Sequence, residues 1–495
     1  MEPLFELGLE PIRKGARDGA THLYRQLHAA ILDGRLAAGS RLPPTRSAGA
    51  HFGVSRNTAI DVYERLLHER LVIARHGSGT YVAPLPTALR PIAPAREPGV
   101  TDPRLNSYWQ SDAVSDAIGY WQHRDEAPAI GDHVIDLRPA VIDSRLFPFD
   151  RLRQSFTLQL RRMENRPARF RGPRGNQGNF HLRGAIAGHV AVTRAVACEP
   201  GDILVTSGAQ QAFDLIARAL VKPGQTRVAI EDPGYPPMRV PFAAAGAAIV
   251  PVPVDDEGIR VDLIPRDVQI VCTCPSHHFP LGVPLSPDRR ADLLRFARET
   301  GAVIVEDDYD GEFRYDGSPL TALRTADASD VVFYVGTFSK TMLPSLRLGF
   351  VIPPGWALDA LIAAKNALDW HASSPLQLGV ASFIAQGHLT RHVARMRQVY
   401  GERRRTVLDA VAATLPRDVR ALPTYHGMHL TLISSAERDL ETVSRRAKAV
   451  GLEIHGLARY FAGAATRDGL VVGFGTAGIA ELAEAIERLG DLLRS

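Results

Sequence analysis

Gly336-Thr337-Phe338-Ser339-Lys340-Thr341-Met342-Leu343-Pro344-Ser345-Leu346-Arg347-Leu348-Gly349 is the stretch on which the reading of this chain turns. It joins two apolar runs, 331–336 and 348–352, each short and apolar enough to be a buried strand. Lys340 is no generic cation, because the 495-residue chain has five lysines against fifty-three arginines. A lysine amine can form a Schiff base with an aldehyde, which a guanidinium cannot do. The hydroxyls of Thr337 and Ser339 and the guanidinium of Arg347 are suited to a phosphate beside it. A surface lysine in a polar loop is the plain alternative, and the neighbouring segments weaken it.

From about residue 133 the same grammar repeats. Runs 203–206, 227–231, 268–273, 303–306, 331–336 and 348–352 read as buried strands, with helical stretches such as 209–220 and 287–300 between them. This alternation predicts an α/β architecture with a mostly parallel sheet, whose ligands bind beyond the carboxyl ends of the strands. Thr206-Ser207-Gly208-Ala209-Gln210-Gln211 is a strand, a tight turn and a helix N-terminus, where free backbone N–H groups make an anion site. A purely structural turn is the alternative. Glu306-Asp307-Asp308-Tyr309 ends another strand with carboxylates beside a phenol. A carboxylate next to a pyridine nitrogen keeps that nitrogen protonated, because the ion pair favours the charged form. A solvated acidic loop is the competing reading.

Residues 13–83 follow a different pattern. Eleven Lys or Arg stand there against five Asp or Glu, an excess compatible with a phosphate-contacting surface. Leu23, Leu27 and Ile31 recur at the spacing of an amphipathic helix, which Gly34 stops. A short second helix ends at His51-Phe52-Gly53, and Ser55 is placed to cap a third over 56–69 that turns Ala59, Val62, Tyr63 and Leu66 inward. Two β-prone runs, 71–73 and 80–82, flank the basic, glycine-rich Arg75-His76-Gly77-Ser78-Gly79. Three helices and a hairpin predict a winged helix-turn-helix whose third helix enters the major groove of double-stranded DNA. The first turn of that helix offers Ser55, Arg56, Asn57 and Thr58 to phosphates or base edges. A winged helix used only for protein contact is the alternative.

Between this domain and the one expected over 133–495, residues 84–132 read as a linker. Six prolines fall within 84–104, which predicts a semi-rigid tether, and Tyr108, Trp109, Tyr120 and Trp121 are candidates to pack onto the domain that follows. With 45% hydrophobic and 23% charged residues the composition is that of a soluble globular protein. No run approaches the roughly 18 apolar residues of a spanning helix. The N-terminus MEPLFELGLE lacks the basic flank of a signal peptide, so a cytoplasmic location without a membrane is expected. Cys198, Cys272 and Cys274 are too few for a disulfide framework and match no metal spacing, so three reduced core thiols and no metal are expected.

The N-terminal run resembles the DNA-binding domain of the GntR family. The family's Gly-x-Leu-x-x-Gly-x-x-Leu-Pro turn is matched by Gly34 to Pro43, its Val-Ser-Arg-x-Thr by Val54 to Thr58, and its Gly-x-Gly-Thr wing by Gly77 to Thr80. The resemblance implies DNA contacts at Arg46, Arg56 and Thr58, with Gly77 and Gly79 shaping a wing that includes His76. Ala48-Gly49 stands where the family usually has Leu-Ala, which implies a less stable second helix.

The later segments resemble the fold-type I aminotransferases, and the whole chain resembles the MocR-type subgroup of GntR regulators. This implies a winged helix joined to an aminotransferase-like domain with large and small subdomains, and pyridoxal 5'-phosphate as cofactor. By that resemblance Lys340 carries the cofactor as an aldimine, Asp307 pairs with the pyridine nitrogen, Tyr309 contacts the ring hydroxyl and Tyr235 stacks on the ring. Gly208, Ala209, Gln210, Thr337, Ser339 and Arg347 hold the phosphate. Two departures stand out. Phe279-Pro280-Leu281-Gly282 replaces Asn-Pro-x-Gly, which leaves Ser276 or His277 to take over the asparagine's contact. The segment 470–475 lacks the arginine that aminotransferases often place there for a substrate carboxylate, which leaves Arg459, and after it Arg239, as the effector contact. The implied function is a homodimeric transcription regulator that senses an amino compound, or pyridoxal phosphate itself, with turnover slight or absent. An aminotransferase with an appended DNA-binding domain is the second reading, and a DNA-binding scaffold with an empty pocket the third.

Overall fold

The computed structural model describes residues 10, 12, 18–75, 77–84, 106–110, 114, 134–165, 176–316, 320–436 and 438–494. His76, Tyr120, Trp121 and most of 84–132 lie outside the described residues. The chain divides into two compact units, Met1–Asp102 and Pro103–Ser495.

In the first unit, helices α1 (Gly19–Leu32), α2 (Thr45–Phe52) and α3 (Arg56–His68) precede an antiparallel hairpin of β1 (Val72–Arg75) and β2 (Gly79–Val82). Leu23, Leu27 and Ile31 of α1 meet Ala59, Val62 and Leu66 of α3 in one buried cluster. Each large aliphatic side chain so buried contributes about 1.5–3 kcal/mol. The Thr58 N–H donates to Ser55 Oγ at 3.0 Å, so Ser55 caps α3 as its position predicts. Despite Ala48-Gly49, α2 forms over its full length, and Gly49 has a packing reason. A Cβ there would lie 3.0 Å from both the Arg56 nitrogen and the Val54 oxygen, so the glycine lets α2 meet the start of α3 at closer range than a side chain allows without a shift.

The second unit is built on an eight-stranded sheet in the order β4 (Leu204–Thr206), β11 (Gly349–Ile352), β10 (Val332–Thr337), β9 (Val303–Asp308), β8 (Ile270–Thr273), β5 (Arg227–Asp232), β6 (Ala248–Asp255) and β7 (Gly258–Ile259). From β10 to β6 all pairs are parallel, whereas β11 runs antiparallel to both of its neighbours and β7 antiparallel to β6. All six strands expected from the sequence are present, with ends displaced by at most two residues. β6 escaped notice because prolines interrupt its pattern. The outer neighbour of β6 pairs only with Val254 and Asp255, so Pro251 and Pro253 sit where the sheet's outer side needs no donor.

A smaller antiparallel sheet follows in the order β12 (Val419–Ala421), β13 (His429–Ser434), β16 (Gly469–Gly473) and β15 (His455–Gly456). β3 (Ile135–Asp136) pairs in parallel with β14 (Leu452–Glu453). The helices His388–Thr414 and Ile479–Arg494 share a core with the smaller sheet through Val407, Leu430, Val472 and Leu489. Within the second unit the Tyr108 hydroxyl lies near Gly246, whereas Trp109 is 58% exposed rather than packed down as expected. Cys272 and Cys274 are buried, but Cys198 is only half-buried, so the expectation of three core thiols is corrected at that position. Among the described residues no helix is long and apolar enough to cross a membrane.

Candidate functional site

Strands β5, β8, β9 and β10 deliver the residues that follow them to one edge of the large sheet, the edge where parallel sheets bind ligands. A cavity of about 730 Å³ lies there, lined by Ala209, Gln210, Tyr235, Asp307, Tyr309, Thr337, Ser339, Lys340 and Arg347 of the residues singled out from the sequence. A larger groove of about 1200 Å³ runs between the helices Phe149–Asn165, Phe180–Arg194 and Ser374–Ala385, but among the described residues its lining holds no lysine and no carboxylate.

One end of the cavity is an anion cradle. Gly208, at φ +80°, turns the chain from β4 into the helix Ala209–Leu220, whose first N–H groups have no intrahelical acceptor. Gln211 Oε1 accepts the Ser207 N–H at 2.7 Å and its amide donates to Asp369 at 2.8 Å, which fixes the turn. Arg347 crosses over it, donating to the Ser207 carbonyl at 3.2 Å. A Cβ on Gly208 would lie 3.1 Å from Arg347 Nη2, so Gly208 supports the cradle without facing the cavity. Thr337 Oγ1 donates to Ser339 Oγ at 2.9 Å and accepts the Ser339 N–H at 3.1 Å.

Lys340 stands in the middle, buried, with Nζ donating to the Ala140 carbonyl at 2.5 Å. Ala140 (φ +59°) and Arg347 (φ +46°) both hold left-handed backbone conformations and both line the cavity. Such strain in non-glycine residues persists where the surroundings fix it, commonly at functional sites.

At the far end Asp307 is buried and its Oδ1 accepts no hydrogen bond among the described residues. Burial, followed by the nearby Asp308, Asp310 and Glu231, pushes its carboxyl up to about 8, with Lys340 acting in the opposite direction. A buried acceptor without a donor costs free energy, and a cationic donor placed beside it would draw the carboxyl back toward its ionised form. Tyr235 meets Phe279 edge-on at 5.7 Å between ring centres, and Phe279 forms the apolar wall where an asparagine was expected in related chains.

Several expected residues are placed elsewhere. Ser276 does not line the cavity; its hydroxyl accepts from Arg194, whose Nε donates to Asp308 at 2.5 Å, and the Tyr334 hydroxyl donates to the same carboxylate at 2.6 Å. His277 sits behind the wall, its Nδ1 2.8 Å from the Tyr309 hydroxyl. Arg459 lies on the turn Leu457–Tyr460 with its guanidinium 5.9 Å from the Tyr460 ring centre, and neither it nor the buried Arg239 is in the lining. The cation that sequence reasoning missed is Arg138, which lines the cavity while donating to Asp136 through Nε and Nη2, both at 2.8 Å. No local pattern marks it, because only the folding of 134–142 across the sheet edge brings it there.

In the first unit Arg46, Arg56, Asn57 and Gly77 are exposed. Ser55 and Thr58 engage each other, with their hydroxyls 2.7 Å apart.

Comparison with known proteins matches residues 20–82 to the family described as "Bacterial regulatory proteins, gntR family" and residues 160–455 to "Aminotransferase class I and II". The "Probable rhizopine catabolism regulatory protein MocR" of Rhizobium meliloti is 32% identical over 464 residues, covering 91% of this chain and 89% of that protein. The chain belongs to the MocR-type GntR regulators. The HTH-type pyridoxine biosynthesis transcriptional regulator PdxR of Corynebacterium glutamicum is similar to this MocR-type chain at 29% identity, over 92% of each protein. The second unit of the regulator shares its fold with the kynurenine aminotransferase of Pyrococcus horikoshii, at a TM-score of 0.70 and 24% identity over 79% of this chain and 96% of that one.

Proposed function

We propose that this regulator holds pyridoxal 5'-phosphate in the cavity of about 730 Å³ and that occupancy and amine chemistry there control its grip on DNA. The observation that carries the reading is the convergence, in one cavity, of a buried lysine amine, an anion cradle and a buried carboxylate oxygen with no hydrogen-bond donor among the described residues. The three features fit the aldehyde, the phosphate and the pyridine nitrogen of one molecule. When bound, the cofactor supplies an aldehyde that condenses with primary amines.

The chain's own residues do the rest. The cradle of Ala209, Gln210, Thr337, Ser339 and Arg347 binds the phosphate, Asp307 keeps a proton on the ring nitrogen, and Tyr235 and Phe279 exclude water from the ring faces. The Ala140 carbonyl orients Lys340 Nζ. The exposed Arg46, Arg56 and Asn57 of the winged helix contact the duplex, and two chains act as a homodimer. The effector is an amino compound or pyridoxal phosphate itself, acting through its different affinity for two arrangements of the protein.

The reading as an enzyme is second. Phe279 withholds the contact of an asparagine to the ring hydroxyl, and β16 carries no arginine to seat a carboxylate, so sensing is favoured over turnover. Purified wild-type protein should bind pyridoxal phosphate with a visible absorbance band, and Lys340→Ala should lose both that band and the amine response of DNA binding. Retention of both by Lys340→Ala would overturn the proposal. Multiple turnovers with a panel of amino donors and keto acids would favour the enzyme.

A further inference from the structure

Phe279 leaves the ring hydroxyl of the proposed cofactor one hydrogen-bond donor short, and the structure places an unusual group next to the remaining donor. Tyr309 OH lies 2.8 Å from His277 Nδ1, and that same nitrogen lies 2.9 and 3.1 Å from the two oxygens of Asp310. All three side chains are buried.

The imidazole's tautomer follows from its surroundings. His277 Nε2 is buried with no hydrogen-bond partner among the described residues, so a proton there would be a stranded donor. Placed on Nδ1, the proton faces the two oxygens of Asp310, a carboxyl that burial and then Asp308 push up and Lys340 draws down. Burial pushes the imidazole down to about 3, so a second proton does not compete. An Nδ1–H cannot accept from the phenol. Burial, then Asp310, raises Tyr309 well above its ordinary value, so the phenol keeps its own proton. That proton has to point away from His277, into the cavity.

We infer that Asp310 and His277 act together as a positioning pair that turns the Tyr309 hydroxyl into an obligate donor toward the ring oxygen of the cofactor, in place of the missing asparagine. The backbone is shaped for this. Gly427 (φ +77°), ahead of β13, has its hypothetical Cβ only 1.9 Å from His277 Cε1, so no side chain fits there while the imidazole holds its place. Among the described residues, the charged and titratable groups around the pair include His429, whose ring centre is 4.7 Å from that of His277, His426 and His278, and around Asp310 the groups Asp308, Lys340, Glu312, Arg194, Asp307, Cys274 and Tyr315. His429 Nε2 faces the Pro280 carbonyl at 3.0 Å, which commits its proton to that nitrogen. One ligand-type atom from each of His277, Asp310 and His429 lies within 4.8 Å of the other two.

The inference rests on pyridoxal phosphate occupying the cavity, and the test separates the two. A donor to the ring oxygen stabilises its anion, and the stabilised anion holds a neighbouring proton less tightly, so the pH midpoint of the bound cofactor's visible band is lowered. The experiment titrates that band in wild-type protein and in Tyr309→Phe, His277→Leu, His277→Asn and the Tyr309→Phe/His277→Leu double variant. Tyr309→Phe and His277→Leu should each raise the midpoint by about one pH unit, a tenfold change in proton affinity. The double variant should shift no further than Tyr309→Phe alone, because His277 works through the phenol. His277→Asn, whose amide can donate from the Nδ1 position, should remain near wild type. A wild-type midpoint in His277→Leu, or additive shifts in the double variant, overturns the inference while leaving cofactor binding intact. No visible band in wild-type protein overturns the cofactor reading itself. If His277→Leu does not fold, Asp310→Ala removes the acceptor that holds the Nδ1 proton and must raise the midpoint in the same direction, and a wild-type midpoint there overturns the inference.

Discussion

Replacing Asp307 by asparagine should stabilise the cofactor-free protein and weaken the loaded one. The carboxyl's ordinary value is 3.8, and burial in the fold lifts it to about 8. A raised carboxyl is a group that the folded state prefers protonated. Below the unfolded value it costs nothing, and between there and the folded value each pH unit removes about 1.4 kcal/mol of stability, because the unfolded chain ionises and the folded chain does not. The amide in the Asp307→Asn variant has nothing to ionise. From about pH 5.5 to about pH 7.5 the variant's advantage should therefore grow by about 2–3 kcal/mol. The assay is urea unfolding of the cofactor-free proteins at the two pH values, followed by the signal of the second unit and extrapolated linearly. With pyridoxal phosphate present the order should reverse. The ionised carboxylate then meets a protonated ring nitrogen, and its loss should weaken binding by about tenfold to hundredfold, the worth of a hydrogen bond between charged groups. An advantage that is the same at both pH values would refute the reasoning, since it would mean that Asp307 titrates as an ordinary solvated carboxyl.

Two further outcomes follow from the geometry. Gly208→Ala combines a backbone at φ +80° with a Cβ 3.1 Å from the Arg347 guanidinium, so it should cost about 1–2 kcal/mol of stability and weaken pyridoxal phosphate binding about tenfold, read by cofactor titration and thermal unfolding. Arg56→Ala, at the exposed start of α3, should weaken binding to cognate and random duplexes alike and reduce the slope of log affinity against log salt by about one, read by fluorescence anisotropy, if its contact is to a phosphate.

The local chemistry of this protein is written in contiguous stretches. Strand, turn and helix over 203–220, the lysine loop between β10 and β11, and the capped α3 each depend on neighbours a few residues away, so their residues are legible from the sequence. Gly208, Asp307 and Lys340 stand out because few residue types can do what their positions require. What the tertiary structure decided is which of these stretches meet. Ser276 and His277 are adjacent in the chain, yet one is drawn to Arg194 and the other to Asp310 and Tyr309, because each polar group buried behind the cavity must find a partner from a distant strand. Arg138 enters the cavity and Arg459 stays outside it for the same kind of reason, the path of 134–142 over the sheet edge and the packing of the turn at Tyr460. A sequence specifies the donors and acceptors that are available, whereas only the packed fold determines which of them are shut away from water and so compelled to pair.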